Sequence, residues 1–332
     1  MMPKVQILLA SYNGEKYIRK QLDSILSQTF TDWELLVRDD GSKDGTVEIL
    51  KEYAQKDSRI HYSVNQGSVH GWQQNFQELI LSARENSPYY MFCDQDDIWL
   101  KEKIARLIRC MEKISAKFPE KALAVYADMA IVNKDDEIQH ESFNALYHIR
   151  LNRAEDSFFS QRVYGCNMIM NTKVMRDMKS FLCHKIYPEL SHDGLAAKIL
   201  ASSGGMIYYL DKVLMHYRRT GENATANQEF SFSAKKLAKM FGKQLARQQS
   251  SAYIQGVFVA EKLLAEKPFA LNTEMLQDMR TALRGSGLQF MKIWQKYGID
   301  CGSYKSTLAH FWVLFTGQHL SYLETSNLLK MK

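Results

Sequence analysis

The chain has 332 residues, of which 45% are apolar and 24% charged, with a formal net charge of +6. That length holds one large domain with an appendage or two smaller ones, and no apolar run approaches the roughly 18 to 20 residues of a membrane-spanning helix. Cys93, Cys110, Cys166, Cys183 and Cys301 are scattered and never form a Cys-x-x-Cys pair, which excludes a disulfide framework and a structural zinc as organising principles.

The first residues lead straight into an apolar run, without the charged, apolar and small-residue regions of a signal peptide, so a cytoplasmic location is expected. Val5 to Ala10 reads as a buried strand ending in the turn cluster Ser-Tyr-Asn-Gly. From Glu15 to Gln28 the apolar residues Tyr17, Ile18, Leu22, Ile25 and Leu26 recur at helical spacing. The alternation repeats. Trp33 to Arg38 predicts a strand, Asp39 to Gly45 a turn and Thr46 to Lys56 a helix, followed by a strand at Ile60 to Val64, a helix at Gly71 to Arg84 and a strand at Tyr89 to Cys93. Strands alternating with helices of this length imply an α/β fold, its mainly parallel sheet covered on both faces and its ligands at the carboxyl ends of the strands.

A helix at Lys101 to Ala116, a strand at Ala122 to Ala127, a helix at His192 to Ala201 and a strand at Tyr208 to Leu214 follow more loosely. After Asn223 the composition turns to Lys, Gln, Ala, Leu and Met without a strand pattern. A boundary near residue 226 is expected, with a domain over 1–225 and a helical region over 226–332.

The polar clusters fall where a site belongs. Asp94-Gln95-Asp96-Asp97 ends an apolar strand, and its three carboxylates repel one another unless a cation or several donors compensate. Mg2+ or Mn2+ suits such oxygen ligands, using one or two carboxylates and leaving room for water and phosphates. A solvated acidic turn is the plainer alternative. Asp39 to Thr46 similarly reads as a turn capping the next helix, yet a carboxylate at the end of a buried strand needs a donor, and the imide N–H of a pyrimidine base is one. Tyr12, in the loop after the first strand, has the ring to stack on such a base.

In this order, Ala10-Ser11-Tyr12-Asn13-Gly14, Asp39-Asp40-Gly41-Ser42-x-Asp44-Gly45-Thr46 and Asp94-Gln95-Asp96-Asp97 resemble the family-2 glycosyltransferases. Further matches at Ile98-Trp99, Tyr126-Ala127-Asp128, Gly165-Cys166-Asn167-Met168, His192-Asp193 and Tyr217-Arg218 resemble its bacterial rhamnosyltransferase-type branch. The likeness spans about residues 4 to 225.

It implies the GT-A fold and an inverting, metal-dependent transfer of a sugar, L-rhamnose from dTDP-L-rhamnose in the first instance, to a hydroxyl of a glycan acceptor, a lipid-linked one in this branch. A UDP-hexose or UDP-N-acetylhexosamine is the alternative donor. The implied nucleotide site comprises Ala10, Ser11, Tyr12, Asn13, Glu15, Asp40, Asp94 and Gln95, with Asp96 and Asp94 at the Mn2+ or Mg2+. Asp193 is implied as general base, alone or coupled to His192, and Trp99, Asp128, Gly165 and Cys166 as the acceptor side. Three departures stand out: His192 stands where many relatives carry an acid before the base aspartate, as in the rhamnosyltransferase-type members, Gln74-Asn75 replaces a frequent Arg-Asn pair, and Thr220 stands where a histidine is common.

From Phe232 to Gln248, Leu237, Met240, Phe241 and Leu245 share one helical face, while Lys235, Lys236, Lys239, Lys243 and Arg247 occupy much of the rest. Such a basic amphipathic helix either lies on an anionic membrane, making the protein peripheral to the inner face of the cell membrane, or packs on the preceding domain. A dinucleotide-binding oxidoreductase would need Gly-x-Gly-x-x-Gly after the first strand, where the chain has Ser-Tyr-Asn-Gly-Glu. A nucleic-acid-binding protein would leave the strand-end acids unexplained.

Overall fold

The computed structural model describes residues 4–149, 153–160, 163–220 and 243–331. The chain forms two units, one of residues 1–146, 164–186 and 208–228, the other of residues 147–163, 187–207 and 229–332.

The first unit opens with β1 (Val5–Ser11), α1 (Ile18–Leu26), β2 (Trp33–Asp39), α2 (Thr46–Lys56), β3 (Ile60–Val64), α3 (Trp72–Ser82) and β4 (Tyr89–Cys93). Buried on both faces, β1 runs parallel to β2 on one side and β4 on the other, and β3 continues the parallel set beside β2. There follow β5 (Ile98–Trp99), α4 (Lys103–Ser115), β6 (Leu123–Val132), β7 (Ile138–His140), α5 (Phe143–Tyr147), β8 (Met168–Asn171), α6 (Thr172–Leu182) and β9 (Met206–Arg218). The sheet order is β3-β2-β1-β4-β8-β6-β9-β5, with β7 beside β6. From β4 onward it is antiparallel, since β8 opposes both β4 and β6, and β5 opposes β9. The expected α/β architecture is present, with a parallel half that carries the first three motifs and an antiparallel half that sequence periodicity resolved only in part.

Both later strands are longer than expected. β6 continues through Asp128, which interrupts the apolar run in the sequence, because the folded chain satisfies that carboxylate internally: it accepts from the backbone N–H groups of Met129 at 2.8 Å and Asn144 at 3.0 Å. Conversely, α1 starts three residues late, since Gly14 to Tyr17 form a turn in which the Tyr17 and Ile18 N–H groups both donate to the Gly14 carbonyl.

The second unit contains α7 (His192–Ser202), α8 (Lys243–Glu266), α9 (Thr273–Arg284), α10 (Gly287–Tyr297), α11 (Tyr304–Thr316), α12 (Leu320–Thr325) and α13 (Asn327–Lys330). α8 and α9 pack against each other, and their buried Tyr253, Val257, Ala260, Leu263, Leu276, Met279 and Leu283 supply much of its core. Side-chain caps start four of these helices, Ser191 accepting from Gly194 N–H, Asn272 from Met275 N–H, Ser303 from Ser306 N–H and Ser326 from Leu329 N–H. The helical character expected after residue 226 is seen in the described part. Most of the basic segment Phe232 to Gln248 lies outside the described residues, its end forming the start of α8. No described helix is long and apolar enough to cross a membrane, and all five cysteines are free thiols.

Candidate functional site

β1, β2 and β4 are neighbours, with Ser11 in register with Asp39 and Leu9 with Cys93. Their carboxyl ends therefore bring Ser11 to Glu15, Asp39 to Thr46 and Asp94 to Asp97 to a single edge of the sheet, where an open α/β fold binds ligands.

Reciprocal hydrogen bonds stitch the first two loops together. Asp39 is fully buried and organises the turn: it accepts from Gly41 N–H at 3.0 Å, Ser42 N–H at 2.7 Å, Ser42 Oγ at 2.6 Å and Ser11 Oγ at 2.9 Å. Asn13, in the left-handed region at φ 47°, donates its N–H to Ser42 Oγ and accepts from Lys43 N–H. Gly14 donates to Thr46 Oγ1 at 2.8 Å, and Glu15 accepts from Gly45 N–H at 2.9 Å. The third loop is tied in by Gln95, whose side-chain amide pairs with the Tyr12 backbone in both directions, at 2.8 and 2.9 Å. A Cβ on Gly14 would stand 2.3 Å from Gln95 Oε1, so this pairing needs glycine there. The outcome is a fixed rim from which the Tyr12 ring projects, 52% exposed.

Asp40 is almost fully buried. Its carboxylate accepts from Asn65 Nδ2 and from Gly71 N–H, both at 2.7 Å, with the Arg38 guanidinium 3.8 Å away. Arg38 in turn donates to Asn75 Oδ1 at 2.6 Å, and Asn75 Nδ2 returns a bond to the Arg38 carbonyl. Asn65, Arg38 and Asn75 thus support the rim; Asn75 belongs to the Gln74-Asn75 pair that the family resemblance singled out, whereas Asn65 and Arg38 carry no sequence pattern that would reveal this role.

In the third loop the structure groups Asp94 with Asp97 and Cys166, one ligand atom from each lying within 4.8 Å of the others. Asp96 is not in that group. Asp97 Oδ1 accepts from Arg218 N–H at 3.1 Å, while its Oδ2 is buried with no hydrogen-bond partner among the described residues. Burial drives the Asp97 carboxyl well above the usual range, and the charges of Asp96 and Asp94 push it the same way. Burial also raises Asp96, against its own backbone N–H and the Arg218 guanidinium. An unsatisfied buried carboxylate oxygen beside a second carboxylate is a donor set that fits a hard divalent cation; the Cys166 thiol, a softer ligand, adds little to that preference.

Two buried cations flank the acids. Arg218, at the end of β9, donates Nε to the Asp96 carbonyl at 2.7 Å, pairs with Asp136 and lies 4.7 Å from the Tyr17 ring centroid. Lys103 donates to the Cys166 carbonyl at 2.5 Å and sits 3.9 Å from the Trp99 ring centroid. Burial brings the Lys103 ammonium down to about 8, against the pull of Cys166, Cys93, Asp97 and Asp94. Lys103 was legible in principle, because it precedes Leu107 and Met111 by four and eight residues and so falls on the apolar face of α4.

Trp99, Asp128 and Cys166 are core side chains, and Gly165 lies in a buried 3-10 turn, Gly165–Asn167. His192 and Asp193 belong to the second unit, in the first turn of α7, whose every residue is buried. There Asp193 Oδ1 accepts from Gly194 N–H at 2.7 Å, and the capping Ser191 donates Oγ to Gln255 Oε1 at 3.1 Å. Burial lowers His192 to about 4 despite the opposing charge of Asp193, so its imidazole is neutral at pH 7. Lys198, on the same helix, falls to about 8 for the same reason.

Known proteins resemble this chain in sequence and in fold. The family model described as glycosyl transferase family 2 matches residues 6–178, just over half of the chain. The dTDP-rhamnosyl transferase RfbG of Shigella flexneri is 28% identical over 232 residues, covering 68% of this chain and 76% of that protein. The UDP-Glc:alpha-D-GlcNAc-diphosphoundecaprenol beta-1,3-glucosyltransferase WfgD of Escherichia coli is 33% identical over 148 residues, 43% of this chain and 54% of its own length. Among solved structures, S. aureus TarS covers 97% of this chain and 55% of its own, at a TM-score of 0.50 and 16% identity, a likeness of fold. The chain spans about three quarters of the Shigella relative and about half of the other two.

Proposed function

Because the chain belongs to glycosyl transferase family 2, and is therefore a glycosyltransferase of GT-A fold, we propose that it transfers a sugar from a nucleoside diphosphate donor to a glycan hydroxyl with inversion. The observation that carries this reading is the convergence of three polar loops at the ends of β1, β2 and β4, stitched into a rim with an exposed tyrosine ring and a buried acidic group behind it.

Tyr12 stacks on the base, and Asp40 accepts the base N–H with lone pairs left over after Asn65 and Gly71. Ala10, Ser11 and Asn13 shape the loop, Glu15 borders the ribose, and Gln95 holds Tyr12 in place. Asp94 and Asp96 are proposed to hold Mn2+ or Mg2+, and the geometry adds Asp97 through its unsatisfied buried oxygen. When bound, the ion neutralises the diphosphate and stabilises it as a leaving group. Asp193 takes the proton of the acceptor hydroxyl as that oxygen bonds to the anomeric carbon from the face opposite the diphosphate. The anomeric C–O bond breaks with its electron pair going to the nucleoside diphosphate. His192, neutral at pH 7, is proposed to assist Asp193 as a coupled pair. Gly165 borders the acceptor, whereas Trp99, Asp128 and Cys166 support it from the core.

The donor is proposed to be dTDP-L-rhamnose, supported by likeness to the Shigella rhamnosyl transferase over two thirds of the chain; likeness to the E. coli enzyme, whose name specifies UDP-Glc, supports a UDP-hexose as the second reading. That enzyme's acceptor is diphosphoundecaprenol-linked, and a lipid-linked glycan at an anionic membrane surface, in surface polysaccharide synthesis, is the corresponding proposal here. Catalysis is assigned to residues 1–225, with 226–332 as an accessory helical region. The deciding experiment is a donor screen with Mn2+ or Mg2+, recording nucleoside diphosphate release with and without an acceptor. Metal-dependent release from one donor, lost in Asp96→Ala, establishes the reading, and release unaffected by Asp96→Ala and Asp193→Ala together sinks the assigned mechanism.

A further inference from the structure

Lys103 is the first residue of α4 and is fully buried. Both facts count against a cation there, because an ammonium loses its hydration on burial and a positive charge at a helix N-terminus meets the positive end of the helix dipole. Among the described residues its hydrogen bonds go to the Cys166 carbonyl and to Met215 Sδ at 3.1 Å, neither of them anionic, and the Trp99 ring lies against it. The other buried cation of the site is matched differently, since Arg218 is ion-paired with Asp136 and donates Nη1 to the Asn133 carbonyl.

What offsets the cost of burying Lys103 is charge beyond contact distance. Asp97 and Asp94 attract its ammonium, and Asp97 feels that ammonium in return. Through the Cys166 carbonyl it also borders the group in which ligand atoms of Asp94, Asp97 and Cys166 lie within 4.8 Å of one another. A carboxylate cluster with a cation built in behaves differently from one without. The built-in charge weakens the negative potential that would draw a divalent ion by itself, and it strengthens the attraction of the same place for an anion.

We propose that Lys103 is the resident counter-charge of this acid group, opposing capture of a divalent ion alone and favouring the donor's diphosphate, so that the site fills with donor before, or together with, the metal. The inference rests on the metal-dependent reading above and adds to it a residue that acts through its charge alone.

The test is calorimetric titration of the full-length protein, at one pH and ionic strength, with Mn2+ alone and then, in EDTA, with UDP or dTDP alone. Lys103→Met keeps the volume and removes the charge. It should bind Mn2+ at least about tenfold tighter and the metal-free nucleotide about threefold or more weakly, because Coulomb forces between an ammonium and a divalent ion or a diphosphate stay large inside a protein well beyond contact. Lys103→Arg, which keeps the charge, should stay close to wild type on both. A lysine that only fills the core would instead weaken both ligands together. Affinities that fall together, or do not move, overturn the inference; the metal reading then still stands if wild type binds Mn2+ in the presence of nucleotide and Asp94→Ala/Asp97→Ala does not. A wild type that binds no Mn2+ even with UDP or dTDP present would remove the metal reading and this inference with it. Should Lys103→Met fail to fold by circular dichroism, Lys103→Gln takes its place, and failure of both would assign the lysine to packing and overturn the proposal.

Discussion

Tyr12 and Asp97 show how differently two residues of one motif set are placed. The Tyr12 ring is half exposed and its backbone is held by Gln95, so Tyr12→Ala should weaken nucleotide binding by about 1–3 kcal/mol, the usual worth of base–aromatic stacking. Calorimetric titration would measure this, and melting should be unaffected. Asp97 is the reverse, a buried carboxyl whose folded form prefers the proton. Its contribution to stability is present below the ordinary carboxylate range and is lost as pH rises through the elevated folded value. Metal-free Asp97→Asn should accordingly melt higher than wild type at pH 7, yet gain less on adding Mn2+. His192 has the opposite sign: with its pKa lowered from 6.5 to about 4 by burial, its contribution is present above pH 6.5 and lost as pH falls toward 4. Urea unfolding across that window should show His192→Gln losing up to about 3 kcal/mol less than wild type. Motif spacing made Tyr12 and the acids legible. The family resemblance implied Asp40 rather than Asp39 at the nucleotide; the structure adds that Asp39 holds the turn while Asp40 faces Asn65 and Gly71, since adjacent residues at a strand end point opposite ways.

At the scale of elements, the loop after β2 is a hydrogen-bonded unit hung on a single carboxylate. Asp39→Ala removes four acceptor contacts, and a loss of about 2–4 kcal/mol in denaturant unfolding is expected, with weaker nucleotide binding as the rim loosens. In the helical unit a Cβ at Gly256 of α8 would meet Phe158 O at 2.9 Å and Leu283 Cδ1 at 2.8 Å. Since the backbone carbonyl cannot swing aside, Gly256→Ala should destabilise by about 1–3 kcal/mol despite alanine's better helix propensity. The strands of the parallel half were readable because each is a short, nearly unbroken apolar run between turn residues. β7 and β8 were not, since three or four residues give no usable period, and β6 hid its length behind an aspartate that only its folded neighbours satisfy.

For the whole molecule, donor and metal should stabilise each other, because a divalent ion held by Asp94, Asp96 and Asp97 would supply positive charge to the donor's diphosphate. Mn2+ plus nucleoside diphosphate should raise the melting temperature by more than the sum of the two added separately, and chelation should abolish turnover reversibly. That metal-dependent reading began with ordered short motifs, local in sequence and so legible without coordinates: strand, turn and acids recur within a few residues of one another. The sequence by itself determined the α/β class, the strands that present the rim, the family resemblance and the helical character of the C-terminal region. Only the tertiary structure decided that residues 147–163 and 187–207 cluster with that region, that Asp94 meets Asp97 and Cys166, and that Lys103 and Arg218 lie buried beside the acids. The reason is distance along the chain. Lys103 and Cys166 are 63 residues apart, and Asp97 and Arg218 are 121, separations at which local periodicity carries no information and the packing of a closed core alone selects the partner.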